Sequence, residues 1–174
     1  MPVSNVFLIG PMGAGKTTVG RALALRLGAT FYDSDHEIEQ RTGVDITYIF
    51  EKEGEAGFRK REAQVLDELS AQRGVVVATG GGAILDTDSR ARLKARGFVV
   101  FLHASLEQQL KRTRRGDHRP LLKAGDRRET LERLFAIREP LYRDTAHLVI
   151  ESEGRNARTL ARAIADQLPL TETV

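Results

Sequence analysis

The sequence predicts an α/β protein in which helices cover both faces of a parallel sheet, a three-layer α/β/α arrangement. Three observations predict it. The strand candidates Val3–Ile9, Val75–Ala78 and Phe98–Leu102 are short apolar runs, the last two unbroken, as expected of strands buried on both faces. Such runs alternate with helix-patterned segments along the whole chain. The first run leads directly into Gly10-Pro11-Met12-Gly13-Ala14-Gly15-Lys16-Thr17, a pattern whose chemistry requires a strand before it and a helix after it.

The elements follow in order. After the first strand, 16–27 reads as a helix with Val19, Leu23 and Leu27 on one face and Gly28 as its stop. Thr30–Tyr32 is a second short strand. Ser34 or Asp35 is the candidate cap of a helix over His36–Arg41, broken at Thr42-Gly43. A short helix from Ile46 to Glu53 is expected to stop at Gly54, and a separate long helix to span Phe58–Gln72. Val75–Ala78 ends at Thr79-Gly80-Gly81-Gly82. A helix over Asp86–Ala95, a strand over Phe98–Leu102 and a helix over Leu106–Thr113 come next. Arg114–Arg128 is polar and basic and reads as a mobile loop. A helix over Glu129–Arg138 should end before Pro140, because proline lacks the N–H that a helix interior needs. His147–Ile150 is the last strand and Ala157–Leu168 the last helix, followed by a polar tail.

Composition bounds the function. A chain of 174 residues with 41% hydrophobic and 29% charged residues fits one packed domain, with no repeat and no linker. No apolar run reaches the roughly 20 residues of a membrane span, and the first ten residues carry no basic leader, so a cytoplasmic protein is expected. With no cysteine there are no disulfides, thiolate metal sites or thiol nucleophiles. Net charge is +3 and the pI about 9.4. The charges are mixed and aromatics are 6%, which reads as a solvated surface rather than a nucleic-acid interface. Arginine outnumbers lysine 21 to 6, and arginine suits bidentate recognition of phosphate and carboxylate.

The motif Gly10–Thr17 is the phosphate site. A loop free of Cβ crowding turns successive backbone N–H groups inward onto phosphate oxygens, and the following helix points its N-terminus at them. Lys16 reaches the outer phosphates and Thr17 offers a hydroxyl to Mg²⁺. Asp33 and Asp35 follow the second strand at the edge where α/β sheets bind ligands. If that segment is extended, the two carboxylates point the same way, one to the metal and one to a substrate hydroxyl. Arg59 and Glu62 are three apart on a helix, and from this segment alone an ordinary surface ion pair is the favoured reading. Three glycines at 80–82 suit a backbone approached closely by a ligand. Arg119, in the basic loop, suits closure over a transferring phosphoryl group.

In this order and spacing, the P-loop, Asp33-x-Asp35, Gly57-Phe58-Arg59 with Glu62, Thr79-Gly80-Gly81-Gly82, Arg119-Pro120-Leu121-Leu122 and Arg138-x-Pro140-Leu141-Tyr142 resemble shikimate kinase over nearly the whole chain. The resemblance implies one domain, 1–174, with a nucleoside monophosphate kinase-like fold and a five-stranded parallel sheet. It implies a substrate-binding segment near 33–61 and a mobile lid near 112–126. The implied reaction moves the ATP γ-phosphate to the 3-hydroxyl of shikimate, in chorismate and aromatic amino acid biosynthesis. By position, Gly13, Ala14, Gly15, Lys16, Thr17, Thr18, Arg119 and Arg155 hold ATP, with Arg112 a further adenine neighbour. Asp35, Arg59, Gly80, Gly81, Gly82 and Arg138 hold shikimate. Thr17 ligates Mg²⁺, with Asp33 acting through water, and Asp35, Lys16 and Arg119 are catalytic. Asp35 either orients the attacking hydroxyl or accepts its proton. The partners implied are small molecules, not nucleic acid or membrane, and a monomer is expected. The alternatives are another small-molecule P-loop kinase, gluconate-type or nucleotide-directed, and a nucleotide-binding protein without turnover.

Overall fold

The computed structural model describes residues 4–113 and 126–169. Five strands, β1 (Val6–Ile9), β2 (Thr30–Asp33), β3 (Val75–Ala78), β4 (Phe98–His103) and β5 (Leu148–Glu151), form one sheet in the order β2-β3-β1-β4-β5, with every pairing parallel. The helices are α1 (Lys16–Leu27), α2 (Ser34–Thr42), α3 (Ile46–Ser70), α4 (Thr87–Arg96), α5 (Leu106–Thr113), α6 (Arg127–Thr145) and α7 (Ala157–Gln167), with a 3-10 turn over Ala83–Leu85.

The continuous apolar strands are explained by burial on both faces. Val6, Leu8, Val76, Val100 and Leu102 pack against Val19 and Leu23 of α1 and Leu160 and Ile164 of α7. Phe7, Ile9, Val77, Val99 and Phe101 face the other way, onto α2, α3, α4 and α6 through Ile38, Phe58, Leu66, Leu93 and Tyr142. Each side chain of this size contributes roughly 1.5–3 kcal/mol when fully buried, so alternate residues of one strand secure two separate layers.

Central β1 pairs with β3 on one side and β4 on the other; the chain leaves β1 for the edge strand β2, returns to β3 and then crosses to β4, so its direction across the sheet reverses next to the P-loop. The crevice at that reversal, beyond the carboxyl ends of the strands, is where open α/β sheets take ligands. The register carries Asp33, at the end of β2, beside Ala78, one residue before Thr79-Gly80-Gly81-Gly82. The Thr79 N–H and hydroxyl both donate to the Leu8 carbonyl, at 3.1 and 2.9 Å, tying that turn to β1.

Several boundaries differ from the expectation, each for a physical reason. Asp33, not Ser34 or Asp35, caps α2: its Oδ1 accepts from the N–H of Asp35 at 3.0 Å and of His36 at 3.1 Å. Asp35 thus lies in the first helical turn, and the two carboxylates do not follow the alternation of an extended segment. The two helices expected on either side of Gly54 are one bent element, α3. Gly54 sits at φ 72°, ψ 178°, a conformation open to glycine, and the chain resumes its helix beyond it. Arg61 spans the bend to Glu53 at 2.7 and 3.0 Å. Helix α6 continues through Pro140 to Thr145, because Tyr142 and Thr145 are fully buried and Tyr142 stacks on Phe101 with ring centroids 4.9 Å apart. Packing there outweighs the lost helical hydrogen bond. The expected lid, with Arg119, falls almost wholly outside the described residues. No helix among the described residues is long and apolar enough to cross a membrane.

Candidate active site

The P-loop joins β1 to α1. Gly15 caps α1 at φ 89°, a left-handed conformation that brings the first N–H groups of the helix to face the loop. The Lys16 ammonium lies over the loop, donating to the carbonyls of Gly10 at 2.5 Å and Pro11 at 2.9 Å. Helix α5 covers the loop from above. A Cβ on Gly15 would lie 2.7 Å from Arg112 Nη1, and one on Gly13 would lie 3.1 Å from the Gln109 backbone. Arg112 therefore stands against the phosphate loop itself. Ala14 is buried, whereas Thr18 is exposed on the outer face of α1. Arg155 sits on the exposed turn after β5 at the same sheet edge, its N–H bonded to the Ser152 carbonyl at 3.4 Å.

Asp33 links two functions. While its Oδ1 caps α2, its Oδ2 accepts from the Thr17 hydroxyl at 2.6 Å. A hydroxyl and a carboxylate oxygen side by side at a phosphate loop are the hard oxygen donors that suit Mg²⁺. Among the described residues no group of three His, Cys, Asp or Glu forms an all-protein metal cage. That fits a cation held mainly by phosphate and water, with few protein oxygens.

The second half of the site is built on Gly80–Gly82. The Gly80 N–H donates to Ser34 Oγ at 3.2 Å, which fixes the turn against the start of α2. A Cβ on Gly80 would lie 2.8 Å from both Asp35 Oδ1 and Glu62 Oε2. On Gly82 it would lie 2.6 Å from Arg59 Cζ, and on Gly81 3.3 Å from Arg138 Nη1. These glycines let two carboxylates and two guanidinium groups close on one stretch of backbone.

The charges are strongly perturbed. Burial, then the carboxylates of Glu62 and Asp33, raise Asp35 to about 7, against the lowering pull of Lys16 and Arg59. Its Oδ1 is shielded and has no hydrogen-bond partner. Glu62 is 2% exposed and its pKa is raised by burial, although Arg59 Nη1 donates to its Oε1 at 2.9 Å. Arg59 also reaches Glu55 at 3.4 Å. Burial pushes Arg138 down from the usual guanidinium range, and the nearby positive charge of Arg59 adds to that. Two cations therefore flank Gly81-Gly82, beside a carboxyl group poised near neutrality, on the sheet edge that holds the P-loop.

A family model for shikimate kinase matches residues 12–169. The chain belongs to the shikimate kinase family. It is 52% identical over 164 residues to the shikimate kinase of Shewanella frigidimarina, covering 94% of this chain and 96% of that one. To the shikimate kinase of Nitrosospira multiformis it is 54% identical over 167 residues, covering 96% and 86%. Its fold is similar to shikimate kinase from Acinetobacter baumannii in complex with shikimate, with TM-score 0.93, 54% identity and coverage of 94% and 92%. For shikimate kinase from Aquifex aeolicus the values are 0.81, 37%, 92% and 94%. Deoxyadenosine kinase from M. mycoides, with TM-score 0.61 and 16% identity, shares the fold alone.

Of the positions expected for shikimate kinase, Lys16, Thr17 and Asp33 meet at the phosphate loop, and Asp35, Arg59, Gly80, Gly81, Gly82 and Arg138 form the adjoining cluster. Arg155 and Thr18 lie at its margin. Arg119 is outside the described residues. Sequence reasoning understated Glu62, which is buried rather than part of a surface pair, and gave Ser34 and Tyr142 no role in the site. The spacing signals were present, since Glu62 is three residues from Arg59 and Tyr142 four from Arg138.

Proposed function

We propose that the protein transfers the γ-phosphate of ATP to the 3-hydroxyl of shikimate, giving shikimate 3-phosphate and ADP, a step in chorismate and aromatic amino acid synthesis. One observation carries the reading: Arg59 and Arg138 converge on the Gly81-Gly82 backbone while Asp35 stands beside Gly80, next to the P-loop. Two guanidinium groups suit a carboxylate, and a carboxyl group beside them suits hydroxyls, so the acceptor is a polyhydroxy acid. The shikimate bound to the Acinetobacter baumannii relative supports this choice.

In this reading the backbone of Gly13, Ala14 and Gly15 and the side chain of Lys16 cradle the outer phosphates, and Thr18 and Arg155 adjoin the nucleotide. Lys16 exchanges the carbonyls of Gly10 and Pro11 for phosphate oxygens and follows the charge that builds during transfer. Arg59 and Arg138 hold the substrate carboxylate, which orients the ring. Asp35 accepts the proton of the attacking hydroxyl, a task suited to a base near pH 7. Thr17, and Asp33 through water, hold Mg²⁺ brought with ATP; when bound, it neutralises phosphate charge. Arg119 supplies a further cation from the 112–126 segment, and 33–61 is the acid-binding segment. The same reading has the chain work as a single domain, monomeric and cytoplasmic. A mixed-charge surface and exposed apolar side chains scattered over separate elements, Leu25, Tyr48, Ile137 and Val149, support the monomer.

A coupled assay tests the reading. ADP release should require shikimate, ATP and Mg²⁺ together. Faster turnover with gluconate or a nucleoside monophosphate overturns it.

A further inference from the structure

Arg59 and Arg138 are held in different ways, although both face the same backbone. Arg59 is paired with two carboxylates, Glu62 and Glu55. Arg138 is 4% exposed, and no carboxylate among the described residues forms an ion pair with it. The charges of Glu62 and Glu55 act on it without touching it, so a polar neighbour in contact with the same backbone matters.

That neighbour is Tyr142. It follows Arg138 by four residues on α6, so the two side chains share a helix face. Both side chains meet the same backbone residue: a Cβ on Gly81 would lie 3.3 Å from Arg138 Nη1, and the Tyr142 hydroxyl bonds the Gly81 carbonyl. The hydroxyl donates its one hydrogen to the Gly81 carbonyl at 2.5 Å, which leaves its lone pairs for Arg138. The guanidinium and the hydroxyl thus lie side by side against Gly81. The ring is fully buried and stacked on Phe101, so the hydroxyl has little room to move.

We propose that Tyr142 is a positioning residue for the substrate acid: it aims Arg138 and pins the Gly81 carbonyl without neutralising the guanidinium. A carboxylate in the same place would hold Arg138 equally well but would compete with the incoming anion. A neutral hydroxyl adds no negative charge to compete with the ligand. Arg59, already paired, is the weaker half of the seat, and Arg138 is the stronger. This inference rests on the shikimate kinase reading.

The test is Tyr142→Phe, which keeps the ring and its stacking and removes only the hydroxyl. The dissociation constant and KM for shikimate should rise about tenfold, while those for ADP and ATP stay within about twofold. In an Arg138→Ala background the Tyr142→Phe penalty on shikimate should shrink to about twofold or less, because the hydroxyl then has nothing to aim. Thr145→Val is the structural control. It removes another buried hydroxyl of α6, bonded to the Leu141 carbonyl at 2.7 Å, and should lower thermal stability without changing shikimate affinity. Unchanged shikimate affinity in Tyr142→Phe, or an equal penalty with and without Arg138, overturns the proposal. If Tyr142→Phe does not fold, a crystal structure of the wild type with shikimate decides. A hydroxyl bridging Arg138 and the Gly81 carbonyl supports the role, and one out of hydrogen-bond reach of either overturns it. A wild type with no shikimate-dependent ADP release at all would instead refute the functional reading.

Discussion

Asp35→Asn should make the protein more stable while disabling it. In the fold, Asp35 ionises near 7 instead of the ordinary 3.8, because burial and the charges of Glu62 and Asp33 oppose its carboxylate. Below pH 3.8 the folded and unfolded chains both carry the neutral acid, and Asp35 costs nothing. Between 3.8 and about 7 the unfolded chain loses this proton first, so stability falls as pH rises. Above 7 both states are ionised and the loss is complete. A gap of that size at about 1.4 kcal/mol per pH unit corresponds to roughly 4 kcal/mol. Asparagine does not ionise, and its amide can donate to Glu62 Oε2, which has no hydrogen-bond partner. The variant should match the wild type near pH 4 and exceed it by up to about 4 kcal/mol at pH 8. For a chain of this length that is an increase in Tm of roughly 10 °C. Scanning calorimetry of both proteins from pH 4 to 8 measures it, with turnover expected to fall at least about 100-fold at pH 8. A variant no more stable than the wild type at pH 8, or a difference constant across the range, refutes the account of Asp35 as a destabilised carboxylate.

Two further expectations concern the same cluster. The kcat/KM for shikimate should fall about tenfold per pH unit below 7 and level off above it, as the basic form of Asp35 is lost and gained; a flat profile from pH 5.5 to 8 would remove Asp35 as the proton acceptor. Gly80→Ala would place a Cβ 2.8 Å from Asp35 Oδ1 and Glu62 Oε2. Displacing those carboxylates should cost turnover on the order of 100-fold with ADP affinity unchanged, as steady-state rates and nucleotide calorimetry would show. Near-normal turnover would mean that the glycine is not needed for the close approach.

The phosphate half of this protein was determined by the sequence itself. The P-loop works through backbone N–H groups and one lysine within eight consecutive residues, and a local pattern suffices when the chemistry is local. The three central strands were legible for a related reason: burial on both faces of a parallel sheet leaves apolar runs. What reaches beyond neighbours in the chain did not show. Gly54 and Pro140 look like helix ends, yet α3 resumes past Gly54 and packing of Tyr142 carries α6 through Pro140. Glu62 looks like half of a surface pair, and only the approach of Gly80, 18 positions further on, makes it a buried charge that raises Asp35. The acid seat joins Asp35 of α2, Arg59 of α3, the turn after β3 and Arg138 of α6. Its ionisation states depend on burial and on charges brought together from these four segments, and those exist only once the chain has folded.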